Sequence, residues 1–131
     1  MKIEAINPWS WQDDYGFSQA NAVSEASKTL FCAGQTSVDA QGNPVCVGDM
    51  GGQVEQALNN LEQVLQQAGA SLANVVRLHY YTTDVPALLD AIGPLVARLQ
   101  QAGCKPAAVL HGVTALFHPD IMFEIEATAA L

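Results

Sequence analysis

A long amphipathic segment between Asp49 and Gly69 limits the architectures open to this chain of 131 residues. Apolar residues recur there at helical spacing, which predicts a helix with one face on a core. Asp49 suits the N-cap position, and Gly69 suits the position just past the C-terminus. Such a helix must lie against another layer of secondary structure. Its apolar stripe comprises Val54, Ala57, Leu58, Leu61, Val64, Leu65 and Ala68.

Strand-like segments surround this helix. Residues 75–83 are rich in β-branched and aromatic side chains and alternate between two faces. Residues 20–26 and 29–35 predict two strands joined by a tight connection, and therefore a hairpin. Residues 107–116 and 122–129 predict the last two strands, with a short turn between them.

A second helical segment follows the central strand. Asp84 can cap it, and Pro86 falls in its first turn, where a missing N–H is harmless. Gly93-Pro94 interrupts the apolar pattern, and proline removes a helical hydrogen bond. The segment is therefore predicted to kink or break at this point.

The order of elements predicts how the sheet is covered. After an irregular lead-in of sixteen residues with aromatic anchors, the order is β-β-α-β-α-β-β. Two helices can cover only one face of such a sheet. We expect the other face to keep apolar residues such as Leu110, and association between subunits is the simplest way to cover it.

The charge of the chain excludes several partners. The formal net charge is −8 at pH 7, with only five Lys and Arg residues. Nucleic-acid binding needs a basic footprint, so no nucleic-acid partner is expected, and an anionic membrane would repel the chain. Charged residues make up 14% of the sequence, below the usual quarter, which indicates surface buried between subunits.

The cysteines and the absence of long apolar runs bear on location. Cys32, Cys46 and Cys104 are odd in number and not closely paired, which argues against a disulfide framework. No apolar run follows Met1, and no stretch reaches the length of a membrane span. We expect a single cytoplasmic domain over residues 1–131, with reduced thiols, an inert Cys32 in an apolar strand and Cys104 in an exposed loop.

Six short motifs run in order along nearly the whole chain. They are Phe17-Ser18-Gln19-Ala20, Leu30-Phe31-Cys32-Ala33-Gly34-Gln35, the helical run Gln53…Ala57-Leu58-Asn59-Asn60-Leu61…Leu65…Ala68-Gly69-Ala70, Val75-Val76…Tyr80…Thr83-Asp84, Pro106-Ala107 and Glu124-Ile125-Glu126-Ala127. Together they resemble the RidA/YjgF family of reactive-intermediate deaminases.

This resemblance implies both a fold and an activity. The fold is α+β and chorismate-mutase-like, with a mixed β-sheet, two helices on one face, and a homotrimer with clefts between subunits. Typical members hydrolyse enamines and imines released by pyridoxal-phosphate enzymes, and they need no metal or cofactor. An arginine after Pro-Ala grips the substrate carboxylate, and a glutamate in the last strand positions the attacking water. The three histidines here have no metal-ligand spacing, so no metal site is expected.

This chain departs from the family at the implied site. Ala108 stands in the position of the arginine, and Leu110 stands at the small polar or cysteine position two residues later. Phe17, Ala33 and Ile92 take the places of a tyrosine, a serine and an asparagine. The changes predict a cleft with apolar walls. Its implied substrate-binding residues are Phe17, Ala33, Gly34, Gln35, Ile92, Ala108 and Leu110.

The ionisable candidates lie on two strands. Glu124 is the candidate catalytic residue, because the family's glutamate falls on it and an apolar cleft would raise its pKa. Glu126 is interpreted as a solvated or salt-bridged residue. Arg77 could replace the missing arginine, but the favoured interpretation is a structural ion pair with one of these glutamates, of its own or a neighbouring subunit. His79 shares the face of Arg77, whereas His111 is expected to point toward the helices.

Two functions remain open from the sequence. The first is an enamine/imine hydrolase with altered substrate choice, acting on a neutral or apolar small molecule through Glu124 and perhaps Arg77. The alternative is a non-catalytic trimeric protein that binds a small metabolite or a partner segment. Loss of the carboxylate clamp disfavours iminoacids but leaves neutral enamines open.

Overall fold

Two β-sheets and three α-helices form the regular structure of the computed structural model, which describes residues 1–131. The strands are β1 (Lys2–Ile6), β2 (Ala20–Ser24), β3 (Thr29–Phe31), β4 (Gln35–Thr36), β5 (Val75–Thr82), β6 (Ala107–Gly112) and β7 (Phe123–Ala130). The helices are α1 (Met50–Gln67), α2 (Val85–Ala91) and α3 (Gly93–Gln101), and short 3₁₀ helices span Trp11–Tyr15 and Leu72–Asn74.

The larger sheet is mixed, in agreement with the predicted α+β fold. Its strand order is β3-β7-β5-β6, and β4 also pairs with β7. The central strand β5 runs antiparallel to β7 and parallel to β6. The parallel pair is connected through α2 and α3, as a crossover requires. Strand β6 therefore lies at one edge of the sheet.

The helices cover one face of this sheet. Leu78 and Tyr80 of β5 belong to the buried core with Ile125 of β7 and with Leu58 and Leu61 of α1. Each fully buried leucine stabilises the fold by roughly 1.5–3 kcal/mol. No helix covers the opposite face, which we call the open face. It carries Arg77, His79, Tyr81, His111, Glu124, Glu126 and Thr128.

The predicted ends of helix α1 are confirmed, but two residues of the helix depart from its predicted apolar stripe. Asp49 accepts a hydrogen bond from the Gly52 N–H at 3.0 Å, and Gly69 follows the last turn with φ 79°. Val64, a member of the predicted stripe, is exposed, whereas Gln53, which the stripe does not include, is fully buried. The Gln53 amide binds the carbonyls of Cys46 and Asp120 and the N–H of Met122, so its burial is compensated.

The second helical segment breaks where Gly93-Pro94 predicts. Helix α2 ends and α3 begins around Ile92, and Pro94 occupies the first turn of α3. Asp84 caps α2 by accepting a hydrogen bond from the Ala87 N–H at 3.1 Å. The predicted cap is therefore confirmed.

Three strand predictions were wrong because pairing partners lie far apart in the sequence. Strands β2 and β3 do not form a hairpin, since β2 pairs with β1 and β3 pairs with β7. The predicted irregular lead-in contains β1, which supplies the missing partner of β2. Strands β6 and β7 are not neighbours either, because β5 lies between them, and β6 ends at Gly112.

None of the helices has both the length and the apolar character that crossing a bilayer requires.

Candidate functional site

An apolar pocket of about 510 Å³ opens beside the edge strand β6. Helices α2 and α3 form one wall, and the turn after the first 3₁₀ helix forms another. Eleven of its sixteen lining residues are hydrophobic, and four of them are the predicted Phe17, Ile92, Ala108 and Leu110. Apolar walls with few polar groups are typical of a small-molecule site.

The helix break shapes this pocket. Ile92 ends α2 and precedes α3, and both Ile92 and Gly93 line the cavity. A continuous helix would not turn its backbone at this point. The local signal at Gly93-Pro94 is therefore one origin of the cavity.

Few polar groups reach the pocket, and none of them is basic. Asp14 is the only acidic residue in the lining, and Tyr15 and Gln100 add a hydroxyl and an amide. Burial, with a smaller contribution from nearby Cys104, raises the pKa of the Tyr80 hydroxyl. Tyr80 therefore stays protonated and can take part only as a hydrogen-bonding group.

Glu124 lies on the open face, away from this pocket. Gly34 lies directly against its side chain, because a Cβ added at Gly34 would be 2.7 Å from Glu124 Cδ. Ala33 and Gln35 flank the glycine, and the Gln35 amide donates to the Ala33 carbonyl at 3.2 Å. The predicted residues Ala33, Gly34, Gln35 and Glu124 thus form a second group.

Glu124 is held in an environment that favours its neutral form. Burial raises the pKa of Glu124, and the nearby Glu126 carboxylate raises it further. Glu126 accepts a hydrogen bond from the Tyr81 hydroxyl at 3.1 Å, so its own partner is a neutral group. The raised pKa makes Glu124 a stronger base than an ordinary glutamate.

Arg77 heads a chain of hydrogen bonds on the open face. Its Nε donates to His79 Nε2 at 3.3 Å, and His79 Nδ1 lies 3.2 Å from His111 Nε2. Because His79 Nε2 accepts from Arg77, a neutral His79 carries its proton on Nδ1 and donates it to His111. Arg77 makes no ion pair with Glu124 or Glu126 of its own chain. An ion pair with a glutamate of a neighbouring subunit stays a prediction.

The sequence predicted the wrong faces for the side chains of strand β6, because Leu110 was expected on the uncovered face and His111 toward the helices. Ala108 and Leu110 stand in register with the buried Leu78 and Tyr80, so Leu110 points toward the helices and not onto the open face. His111 lies on the open face, where its ring stacks on that of Tyr81 with centroids 4.8 Å apart. The register with β5 decides this, because a shift of one residue turns every side chain to the other face.

The predicted site is therefore divided between two faces of one sheet. Phe17, Ile92, Ala108 and Leu110 line the pocket on the helix side. The second group lies on the side of the open face and consists of Ala33, Gly34, Gln35 and Glu124. A single chain does not bring the two groups together.

Comparison with known proteins identifies the family. The family model described as endoribonuclease L-PSP matches residues 14–131. A RutC family protein of Pyrococcus horikoshii is 31% identical over 105 residues, which cover 80% of this chain and 81% of that protein. The chain belongs to the RidA/YjgF family.

Two further RidA/YjgF relatives extend the comparison. The 2-iminobutanoate/2-iminopropanoate deaminase of Rattus norvegicus is 30% identical over 115 residues, covering 86% of this chain and 78% of that protein. The crystal structure of YyfB, a Rid family protein of Yersinia pestis, is 39% identical, covers 100% of both chains and superposes with a TM-score of 0.89. The predicted fold of the single chain is confirmed, and the homotrimer stays a prediction.

Sequence reasoning missed several site residues of this RidA/YjgF protein. Asp14, Tyr15 and Gln100 line the pocket, and Tyr81 binds Glu126 on the open face. The adjacent Asp13-Asp14 pair between aromatic residues was a usable signal for an acidic group near the site. Nothing in the sequence around Gln100 distinguishes it from other polar residues of a helix.

The cysteines of this family member are free thiols. Cys32 is buried, and burial raises the pKa of its thiol, as an inert role requires. Cys104 was predicted to be exposed, but it is buried and donates to the Val75 carbonyl at 3.4 Å. Burial raises the pKa of Cys104 to about 12, so it is not an activated nucleophile.

Proposed function

We propose that this chain forms a cytoplasmic homotrimer whose clefts bind a neutral or apolar enamine or imine and hydrolyse it. The separation of the two groups of site residues carries the proposal. The apolar pocket and Glu124 belong to different faces of one sheet, so a complete site needs a second subunit. A neighbouring subunit would bring its Glu124 and Gly34 to the pocket of the first.

The open face supports association between subunits. Phe31 stands on edge strand β3 opposite Thr128, and its side chain is 83% exposed. Covering this ring with a neighbouring subunit would remove its apolar surface from water, which favours association. Leu110 contributes nothing to this argument, because it packs on the helix side.

The lining of the pocket supports an uncharged or cationic substrate. No Arg or Lys lines it, so a carboxylate would leave water without gaining a counter-charge. Ala108 stands where the family resemblance implies an arginine. The name of the rat relative refers to iminoacids, which carry that carboxylate. An apolar substrate body gains roughly 25 cal/mol for each Å² it buries.

Hydrolysis of an imine needs water, a base and a proton for the departing nitrogen. Glu124 accepts a proton from water as the water oxygen bonds to the imine carbon. The nitrogen takes up this proton, which gives a carbinolamine. The hydroxyl proton then passes to the nitrogen, the C–N bond breaks as the C=O bond forms, and ammonia or an amine leaves behind a carbonyl compound. The raised pKa of Glu124 suits it to this exchange. Arg77 lies on the same open face as Glu124. A subunit that brings its Arg77 to a cleft would therefore bring its Glu124 there as well.

The alternative is a trimeric protein that binds a small metabolite without chemistry. One observation favours it: the pocket of a single chain contains no histidine, cysteine or glutamate that could act as base or nucleophile. Action on RNA is disfavoured by the net charge of −8, because phosphate binding needs basic residues.

Two imines that differ only in a carboxylate test the proposal. An amine oxidase converts 2-phenylethylamine into a neutral imine, and an amino-acid oxidase converts phenylalanine into the corresponding iminoacid. Release of ammonia is measured with and without the protein, and the Glu124→Gln variant serves as the catalytic control. We expect faster hydrolysis of the neutral imine only, and its loss in the variant.

The other outcomes are equally informative. Faster hydrolysis of the iminoacid would contradict the proposed substrate class. If neither imine is hydrolysed faster, the binding protein is the better description, and mass spectrometry of small molecules that co-purify with the chain would identify its ligand.

A further inference from the structure

One acidic side chain, Asp14, lines the apolar pocket. Asp14 is the only acidic residue in the lining, and its side chain makes no hydrogen bond or ion pair within the chain. The side chain is exposed and free to meet a ligand. An unpaired anion at the wall of an apolar cavity favours a ligand that carries a positive charge next to an apolar body.

Two aromatic residues close to Asp14 in the sequence also line the pocket. Tyr15 and Phe17 line the same pocket, and Trp11 packs edge-on against both rings. The centroid distances are 6.3 Å from Trp11 to Tyr15 and 5.7 Å from Trp11 to Phe17, with interplanar angles of 70° and 72°. The rings of Tyr15 and Phe17 are therefore both steeply inclined to the ring of Trp11. The face of an aromatic ring attracts cations such as ammonium groups.

The turn that carries Asp14 is held against the opposite wall of the pocket. Gly16 ends the 3₁₀ helix with φ 72°, a conformation that favours glycine. A Cβ at Gly16 would lie 3.0 Å from Val96 Cγ1 and 3.2 Å from Gln100 Nε2, both on α3. The close approach leaves little freedom for the backbone of the turn, which keeps Asp14 at the wall of the pocket.

We propose that Asp14, with the rings of Tyr15 and Phe17, selects ligands that carry an ammonium group or a protonated imine. The apolar body of the ligand then lies against Ile92, Val96 and Leu110. This inference rests on the proposed binding function of the pocket. Among the uncharged and cationic ligands that the pocket lining supports, it favours the cationic ones and assigns their recognition to Asp14. All the residues named for this recognition belong to one chain.

Three unreactive probes with a common phenyl body test the inference by calorimetry. They are 2-phenylethylamine, 2-phenylethanol and 3-phenylpropanoate. For the unmodified chain we expect the amine to bind most tightly and the carboxylate most weakly. Asp14→Asn should weaken binding of the amine about threefold, the size expected for an exposed ion pair, and leave the alcohol unchanged. High salt should reduce the preference for the amine.

Asp13→Asn is the matched control. Asp13 is also exposed and adjacent in sequence, but it does not line the pocket. Both variants remove one negative charge, so any difference between them reports position and not net charge. We expect Asp13→Asn to keep the order of affinities shown by the unmodified chain.

The outcomes separate this inference from the proposed function. If the alcohol and the amine bind equally well and Asp14→Asn changes neither, the role of Asp14 is refuted while binding by the pocket stands. If none of the three probes binds, both proposals fail. If 3-phenylpropanoate binds most tightly, a cationic residue outside the described lining binds the ligand, and the inference is wrong.

Discussion

The backbone of Gly34 lies against the carboxyl group of Glu124, with no room between them for a side chain. A Cβ at position 34 would be 2.7 Å from Glu124 Cδ and 3.1 Å from its Cγ. The carboxyl group can occupy this place only because residue 34 is a glycine. Burial there is the main reason why the pKa of Glu124 is raised.

Gly34→Ala should therefore displace the Glu124 carboxyl group toward water. The end of a glutamate side chain is flexible, so we expect a loss of less than about 1 kcal/mol in unfolding free energy. The pKa of Glu124 should fall toward its ordinary value of 4.5, measured by carbon-13 NMR of labelled glutamate. Gly93→Ala is the control, since a Cβ there meets nothing within 4 Å. An unchanged pKa in Gly34→Ala would contradict the proposed contact.

Glu124→Gln should stabilise the fold at neutral pH. A raised pKa means that the folded state binds the Glu124 proton more tightly than the unfolded state does. Ionised Glu124 therefore costs stability above its folded pKa, and that cost disappears as the pH falls below 4.5. We expect Glu124→Gln to raise Tm at pH 7 but not at a pH below 4.5, whereas exposed Glu55→Gln should change little at either pH. A gain that is equal at both pH values would argue against this account.

Ala108→Arg should not create an iminoacid deaminase. The new guanidinium would enter a pocket with mostly apolar walls, where Asp14 is the only carboxylate of the same chain. The Glu124 that a neighbouring subunit would add lies in an environment that favours its neutral form. We expect the variant to lose roughly 1–3 kcal/mol of unfolding free energy from the poorly paired charge. Chemical denaturation measures this loss, and Ala108→Met separates crowding from charge. Hydrolysis of iminoacids by the arginine variant at a rate well above the unmodified chain would contradict the prediction.

Gln53→Ala should destabilise the chain more than an ordinary polar substitution. The buried amide joins α1 to the loops at Cys46 and Asp120–Met122 through three hydrogen bonds. Its removal leaves buried backbone groups without partners, which should cost about 2–4 kcal/mol in unfolding free energy. Gln63→Ala, on the exposed side of the same helix, should cost less than about 0.5 kcal/mol. Equal costs would show that the Gln53 bonds add no stability.

Phe31→Glu should disrupt the proposed homotrimer. Phe31 is 83% exposed at the edge of the open face, and a charge buried there between subunits would lack a partner. Sedimentation velocity at micromolar concentration should detect a trimer for the unmodified chain and smaller species for the variant. Phe117→Glu is the control, because Phe117 is also exposed but lies outside the sheet. A monomeric unmodified chain would refute the trimer.

Features set by neighbouring residues could be predicted from the sequence. The Asp49 cap, the Gly69 helix end and the break at Gly93-Pro94 depend on interactions within one or two turns of chain. Each is found where the pattern predicts it. The family motifs likewise led to the fold, because they are spread along nearly the whole chain.

Tertiary structure decided which strands pair and which face each side chain occupies. The alternation of Leu110 and His111 was predictable, but their faces depend on the register of β6 with β5. The partner of β2 is a segment that has no strong strand pattern of its own. These pairings are contacts between residues far apart in the chain. For the same reason, the separation of Glu124 from Ala108 became apparent only when both were placed on the sheet.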